Sequence, residues 1–261
     1  MKLKKLIAVA LTAVMTMSLT ACGGGNTTGT TSGGAVDNGK TYNIGICQLV
    51  QHEALDAATK GFKDALTEKL GDKVKFDEQN AQGDSPTCAT IVNSFVSENV
   101  DLILANATAP LQAAATGTTD IPILGTSVTD YGTALNIKDW KGTTGVNVSG
   151  TSDLAPLDQQ AAMIKELFPD KKKVGLLYCS AEANSLYQVE TIKGYLEKDG
   201  YTCTNYSFVD SNDIASVVSN AAKNSDVIYV PTDNTAASNT EVIRNTCVPA
   251  KAVSYTHLRA H

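Results

Sequence analysis

From Tyr42 onward, short apolar runs alternate with amphipathic stretches. The runs YNIGICQLV, VKFDEQNA, DLILANA and IPILGTSV have the length and composition of strands, and each ends in polar residues. Between them, Ala54 to Leu70 sets Ala58, Phe62, Leu66 and Leu70 on one helical face. Ser85 is placed to cap a second helix, with Pro86 at its first position and Ile91, Val92 and Phe95 turned inward. Thr108 is placed to cap a third. Strands separated by helices of this length predict βαβ units and a parallel sheet.

The glycine-rich stretch GTTGVNVSG, Gly142 to Gly150, holds a short strand and separates this first set from a second. Leu154, Leu157, Ala161, Ile164 and Phe168 then fall at helical spacing behind Ser152 and Asp153, and Pro169 stops the helix. The alternation resumes with strands at Val174 to Cys179, Thr202 to Val209 and Val227 to Val230. Helices are predicted at Leu186 to Lys198 and at Ile214 to Lys223, with a last one from Glu241 to Ala252. Two similar halves predict two lobes, residues 41–147 and 148–253, with a cleft between them, a favoured place for a ligand. The closing residues SYTHLRAH, 254–261, fit neither an apolar strand nor a capped terminus and resemble a non-native tail. The second lobe is therefore expected to be incomplete, without a strand beside Val227 to Val230.

The N-terminus departs from this pattern. Residues 1–21 carry Lys2, Lys4 and Lys5, no acids, and an apolar run from Leu6 to Met17, which suits an export signal and is short for a transmembrane helix. Leu19-Thr20-Ala21-Cys22 follows and resembles the lipobox at which bacterial lipoproteins are cleaved and lipidated on cysteine. Gly23 to Lys40 is rich in Gly, Ser and Thr. It predicts a flexible leash spanning roughly 20–25 Å, so the body is expected outside the cytoplasm, tethered to the membrane by Cys22.

The whole chain has 21 basic and 27 acidic residues. Loss of the export segment leaves a net charge of −9, which argues against a nucleic-acid surface. The remaining cysteines, 47, 88, 179, 203 and 247, are odd in number and form no CxxC pair. Neither a zinc site nor a disulfide framework is signalled, and they suit small buried apolar positions. No cofactor motif occurs.

The strand ends carry the candidate chemistry. Gln48 with His52, Gln79 with Asn80 and Gln82, Asn106 with Thr108, and Thr126 to Asp130 close the strands of the first half. Ser180, Glu182, Asn184 and Ser185 follow Cys179, and Thr232, Asp233, Asn234 and Thr235 follow Val230. In open parallel sheets, ligands sit beyond such carboxyl ends. Many of these residues also suit helix caps, although Gln and Glu are poor caps.

The segments QLVQHEALDAATKGFKDAL, QNAQGD, SVTD, LFPDKKKVGLLY, SAEANS and YVPTDNT, in this order, resemble the substrate-binding lipoproteins of ABC transporters of the tryptophan/phenylalanine-binding kind. The likeness runs from about Tyr42 to Ala252. It implies an α/β type I periplasmic-binding-protein fold with two Rossmann-like lobes, and a non-enzymatic receptor that passes a small solute, an aromatic amino acid above all, to a permease and its ATPase. Where the family has Ala-Thr-Pro after the third strand, this chain has Asn106-Ala107-Thr108-Ala109-Pro110.

For such a ligand the expected contacts are Gln48, His52, Asn80, Thr108, Asp130, Glu182, Asn184, Asp233 and Asn234. Thr108 and the first N–H groups of its helix suit a carboxylate. One of Asp233, Asp130 or Glu182, in that order for the first two, suits an ammonium, since burying three carboxylates around one cation is costly. Leu49, Tyr131 and Tyr187 are candidates for a side-chain pocket.

A sugar- or nucleoside-binding protein of similar fold is an alternative, weakened by a single Trp140 and 6% aromatic residues. So is a surface receptor feeding a signalling protein. An enzyme would need Cys47 or Ser180 with His52 as base, and no third group completes that set.

Overall fold

The computed structural model describes residues 39–250 and 253–256. The export segment, Cys22, the leash through Asn38 and residues 257–261 lie outside the described residues.

The predicted alternation builds two parallel sheets. The first contains β1 (Tyr42–Gln48), β2 (Val74–Asn80), β3 (Leu102–Asn106), β4 (Ile123–Val128) and β5 (Val148–Ser152), in spatial order β2-β1-β3-β4-β5. The second contains β6 (Lys173–Cys179), β7 (Thr202–Phe208), β8 (Val227–Val230) and β9 (Val253–Thr256), in order β7-β6-β8-β9. Helices α1 (Glu53–Leu70), α2 (Ser85–Ser97), α3 (Thr108–Gly117) and α4 (Tyr131–Ala134) accompany the first sheet. Helices α5 (Leu157–Leu167), α6 (Ala183–Lys198), α7 (Ile214–Asn224), α8 (Asn234–Ser238) and α9 (Thr240–Cys247) accompany the second.

Both faces of each sheet are covered, as parallel sheets require. Successive residues of a strand point to opposite faces. Thus β6 sends Val174, Leu176 and Tyr178 into a core with Ile164 of α5 and Ile192 and Leu196 of α6. Its Leu177 and Cys179 enter a second core with Ile214 and Val218 of α7 and Ile243 of α9. In the first lobe Phe62, Leu66 and Leu70 cover Ile44, Ile46 and Leu104. Ile91, Val92 and Phe95 pack on the other face with Cys47, Ile103 and Leu111. The face of α2 anticipated from spacing is the buried one, whereas on α1 the anticipated Phe62, Leu66 and Leu70 are partly buried and the fully buried positions are Leu55 and Thr59.

Several boundaries move. Asp84, not Ser85, caps α2, its carboxylate accepting from the Thr87 N–H at 2.9 Å. Thr108 does not cap α3. It is the first helical residue, and the cap position falls to Ala107 with φ +104° and ψ 170° and no side-chain acceptor. That backbone region is almost confined to glycine and costs about 1–3 kcal/mol, a strain typical of functional loops. Helix α5 starts at Leu157 because Pro156 restricts the residue before it to extended backbone. Helix α9 ends at Cys247, with Pro249 just beyond.

The lobe boundary also shifts. Val148–Ser152, assigned from sequence to the second lobe, pairs with β4 and completes the first sheet. Gly125 and Gly150 are register partners there, and the notch between them receives the Tyr131 hydroxyl, which donates to the Thr151 carbonyl at 3.1 Å. Tyr131 is 6% exposed and stacks on Trp140 with centroids 6.5 Å apart. It belongs to the core of the first lobe and does not line the cavity between the lobes, because the paired glycines leave room for its ring.

The second sheet does have a strand beside β8. Residues Val253–Thr256 pair in parallel with Val227–Val230, so Ser254, Tyr255 and Thr256 lie in the sheet, where sequence placed a non-native tail. Val, Tyr and Thr suit a pleated strand.

Candidate functional site

The carboxyl ends of β1, β3 and β4 face those of β6 and β8, with the loops and helix starts that follow them closing over the gap. A cavity of about 210 Å³ lies between the lobes. Leu49, Val50 and Gln82 line it from the first lobe, and Ala181, Glu182, Val209 and Thr235 from the second. Leu49 therefore faces the cleft as expected.

The loop after β8 is held from below by buried polar side chains. Gln188 pairs with both backbone groups of Thr232, accepting from its N–H at 3.1 Å and donating to its carbonyl at 3.0 Å. Asn184 donates to the same carbonyl at 3.1 Å and to Glu182 at 3.2 Å. Asp233 is 1% exposed. Its Oδ1 accepts from the Ala236 N–H, capping α8, and its Oδ2 accepts from the Cys179 N–H, at 2.8 and 2.7 Å. Glu182 Oε2 accepts from the Asn234 N–H and Nδ2, and Oε1 from the Thr235 N–H and hydroxyl, all within 3.0 Å. These two acids, candidates for an ammonium from sequence, are committed to the backbone of their own lobe.

Burial, with the Glu182 carboxylate next, pushes the Asp233 carboxyl up to about 7. Its ordinary value is near 3.9. The folded protein therefore holds this proton over a range in which the unfolded chain has lost it. The contribution to stability is full below pH ~4 and is lost as pH rises through about 7, on the order of 3 kcal/mol over that window. In urea unfolding at stepped pH, the wild type should lose this amount of stability relative to Asp233→Asn between pH 4 and 7. A constant gap would contradict it.

Asp130 differs from these acids. Its Oδ1 accepts from the Thr133 N–H at 2.6 Å, capping α4, and among the described residues no other hydrogen bond reaches its carboxylate. Burial, and behind it the Asp130 charge, raises the Tyr187 phenol above its usual range, which places Asp130 of the first lobe near enough to Tyr187 of the second for its charge to be felt there. Helices α3 and α4 both approach α6 here. Thr108, 4% exposed, opens α3 on the same side.

Gln48 and Asn80 are not in this arrangement. Gln48 is 4% exposed and its amide is fully occupied within the first lobe. It donates to the Val50 carbonyl and Asp56, and accepts from Thr59 at 2.6 Å and Asn106 at 3.4 Å. Asn80 accepts from the Gln82 N–H at 2.8 Å, shaping a turn, and opens on a polar groove along α1 lined by Lys63 and Glu78. For Gln48 the cause is that a strand-end amide satisfies its neighbours' backbone and side chains first, and for Asn80 it is the place of β2 at the edge of the sheet.

His52 reaches across the gap. Its Nε2 lies 3.2 Å from Asn234 Oδ1. Cys47 is wholly buried beside Cys88, which drives its thiol pKa upward, and Ser180 donates to the Phe208 carbonyl. Neither candidate nucleophile is bonded to His52. The five described cysteines are free thiols, and all but Cys203 are buried.

The profile of the family described as ABC transporter substrate binding protein matches residues 43–257. The chain belongs to this family of substrate-binding proteins. Proteins of this kind work outside the cytoplasm and bind a solute without transforming it. The substrate-binding protein is 39% identical over 249 residues to the tyrosine-binding protein of Clostridioides difficile strain R20291, covering 93% of this chain and 71% of that one. A Streptococcus pneumonia ABC domain solved in complex with L-Trp is 37% identical, with a TM-score of 0.78 over 83% of this chain and 74% of that chain. A ligand-free, open substrate-binding protein from Clostridium difficile, with adhesive properties, is 38% identical over the same shares at a TM-score of 0.56. The overall likeness is thus greater to the L-Trp complex than to the open relative. The fold is that of type I periplasmic binding proteins, shared at 16% identity with a leucine-binding protein from Thermotoga maritima.

Sequence reasoning passed over Gln188 and Thr59. The missed signal is apolar spacing: Gln188 lies one residue before Val189 and four before Ile192 on the buried face of α6, where a polar residue needs a buried partner.

Proposed function

We propose that this substrate-binding protein captures a free aromatic amino acid between its lobes and delivers it to a membrane permease driven by a cytoplasmic ATPase. A lipid on Cys22 holds it at the outer face of the membrane. Both of the relatives with a stated ligand at 39% and 37% identity handle aromatic amino acids, and the acid chemistry of the cleft is consistent with that.

The observation that carries the reading is the uncommitted oxygen of Asp130. A zwitterion entering the cleft loses water from both charges and needs a partner for each. Asp130 serves the ammonium, with Asp233 and Glu182 occupied below. The Thr108 hydroxyl and the N–H groups that open α3 serve the carboxylate, helped by the partial positive charge of the helix start. Tyr187 and Leu49 contribute apolar surface to the ligand side chain.

Calorimetric titration tests this directly. L-tryptophan, L-tyrosine and L-phenylalanine should release binding heat, and L-leucine and ribose should bind at least tenfold more weakly. Silence from all three aromatic ligands would refute the reading. The anchor has its own test, because Cys22→Ser should move the protein from the membrane fraction to the medium; retention in the membrane would dismiss it.

A further inference from the structure

The contact between the lobes at His52 is built in two layers. Asn234 is 8% exposed and its side-chain amide has two unlike ends. Glu182 Oε2 accepts from Asn234 Nδ2 at 2.7 Å and from the Asn234 backbone N–H at 3.0 Å. An ionised carboxylate only accepts, so the NH₂ end of Asn234 is directed at Glu182 and the carbonyl end is directed away. That carbonyl oxygen lies 3.2 Å from His52 Nε2. Because Oδ1 only accepts, His52 Nε2 carries the proton in this contact.

Glu182 has the partners needed to hold this aim. Its other oxygen takes the N–H and hydroxyl of Thr235, each at 2.8 Å, so the turn beginning α8 is gripped at two consecutive residues. His52 is available for the contact because it occupies the cap position of α1 in extended backbone without capping it by its side chain.

The place of the contact gives it leverage. His52 follows β1, and the chain crosses between lobes after β5, three strands away in the order β1-β3-β4-β5. At ~4.8 Å per strand this is roughly 14 Å, so an opening of about 10° about the crossing would separate the pair by roughly 2.5 Å and break the bond. The contact is therefore specific to lobes placed as they are here.

We infer that Glu182, Asn234 and His52 form a clamp across the cleft, in which Glu182 is a positioning residue that aims the Asn234 carbonyl and the His52–Asn234 hydrogen bond holds the lobes closed. The effect on ligand retention rests on the cleft being the ligand site. The effect on lobe closure does not.

The test uses the full-length protein, with single-molecule energy transfer between one dye on each lobe and with the association and dissociation rates of L-tyrosine. A neutral buried hydrogen bond of this kind changes an equilibrium by roughly fivefold. His52→Leu, which removes the donor from a half-buried site, should lower the closed-to-open ratio of the ligand-free protein about fivefold. It should raise the L-tyrosine dissociation rate by a similar factor. His52→Gln, whose Nε2 also donates, should restore both to within twofold. Glu182→Gln, which presents an NH₂ group to the donors of Asn234, should act like His52→Leu although it lies in the other lobe. An unchanged closed fraction in His52→Leu would overturn the clamp, and so would a failure of His52→Gln to recover it while both variants remain folded. If the wild type ignores L-tyrosine, the amino-acid reading fails, and the ligand-free closed fraction still decides for or against the clamp.

Discussion

Asp130→Asn should weaken binding of L-tryptophan or L-tyrosine by about 30- to 150-fold, while the protein stays as stable as the wild type to within ~0.5 kcal/mol. The substitution is nearly isosteric, and asparagine caps helices as well as aspartate does, so the bond from the Thr133 N–H at 2.6 Å has an acceptor in both. What disappears is the charge available to the cleft. A hydrogen bond between opposite charges contributes about 2–3 kcal/mol when desolvated, and each 1.4 kcal/mol is tenfold in affinity. Thr108→Ala, by contrast, removes one neutral hydroxyl and leaves the N–H groups of α3. Calorimetry on Asp130→Asn with unchanged affinity would remove Asp130 from the site and leave the ammonium without an assigned partner.

The second large effect concerns the crossing. Gly150→Ala should destabilise the fold by about 3 kcal/mol or more, near the upper end for inserting a methyl group into a packed interior. A Cβ at this position would fall 2.1 Å from the Gly125 carbonyl oxygen and 2.2 Å from the Tyr131 hydroxyl. The first of these is backbone in a paired strand and cannot swing aside. Tyr131→Phe in the same chain should therefore fail to rescue Gly150→Ala, although it clears the second clash. Urea unfolding of the single and double variants separates the two clashes. A double variant recovered to the level of Tyr131→Phe alone would place the strain on the hydroxyl instead. Since β5 leads directly into the second lobe, the same substitution should also disturb lobe closure.

Much of the site is present in the order of the chain, yet its roles are not. Glu182, Asn184, Asp233 and Asn234 are brought together as their places at strand ends anticipate, and His52 joins them from the opposite lobe. Asp233 was the preferred ammonium partner from sequence because it follows a buried strand. The same position makes it the cap of α8, and its second oxygen finds the Cys179 N–H, 54 residues earlier in the chain. Asp130 is likewise a cap, with one oxygen left over. No local pattern distinguishes a carboxylate with both oxygens committed from one with a single oxygen committed.

The sequence by itself determined the parallel α/β alternation, the buried face of α2, and the pairing of polar groups with strand ends. These follow from periods of two and 3.6 residues, which act over a few neighbours. Only the tertiary structure decided that Val148–Ser152 belongs to the first sheet, that Tyr131 fills a notch between two glycines, and that Gln48 is sealed inside its lobe. It also decided which acid keeps an oxygen outside any hydrogen bond among the described residues. These outcomes depend on contacts between residues distant in the chain, and a hydrogen-bond acceptor has only a few lone-pair directions, so a donor arriving from another element settles its role.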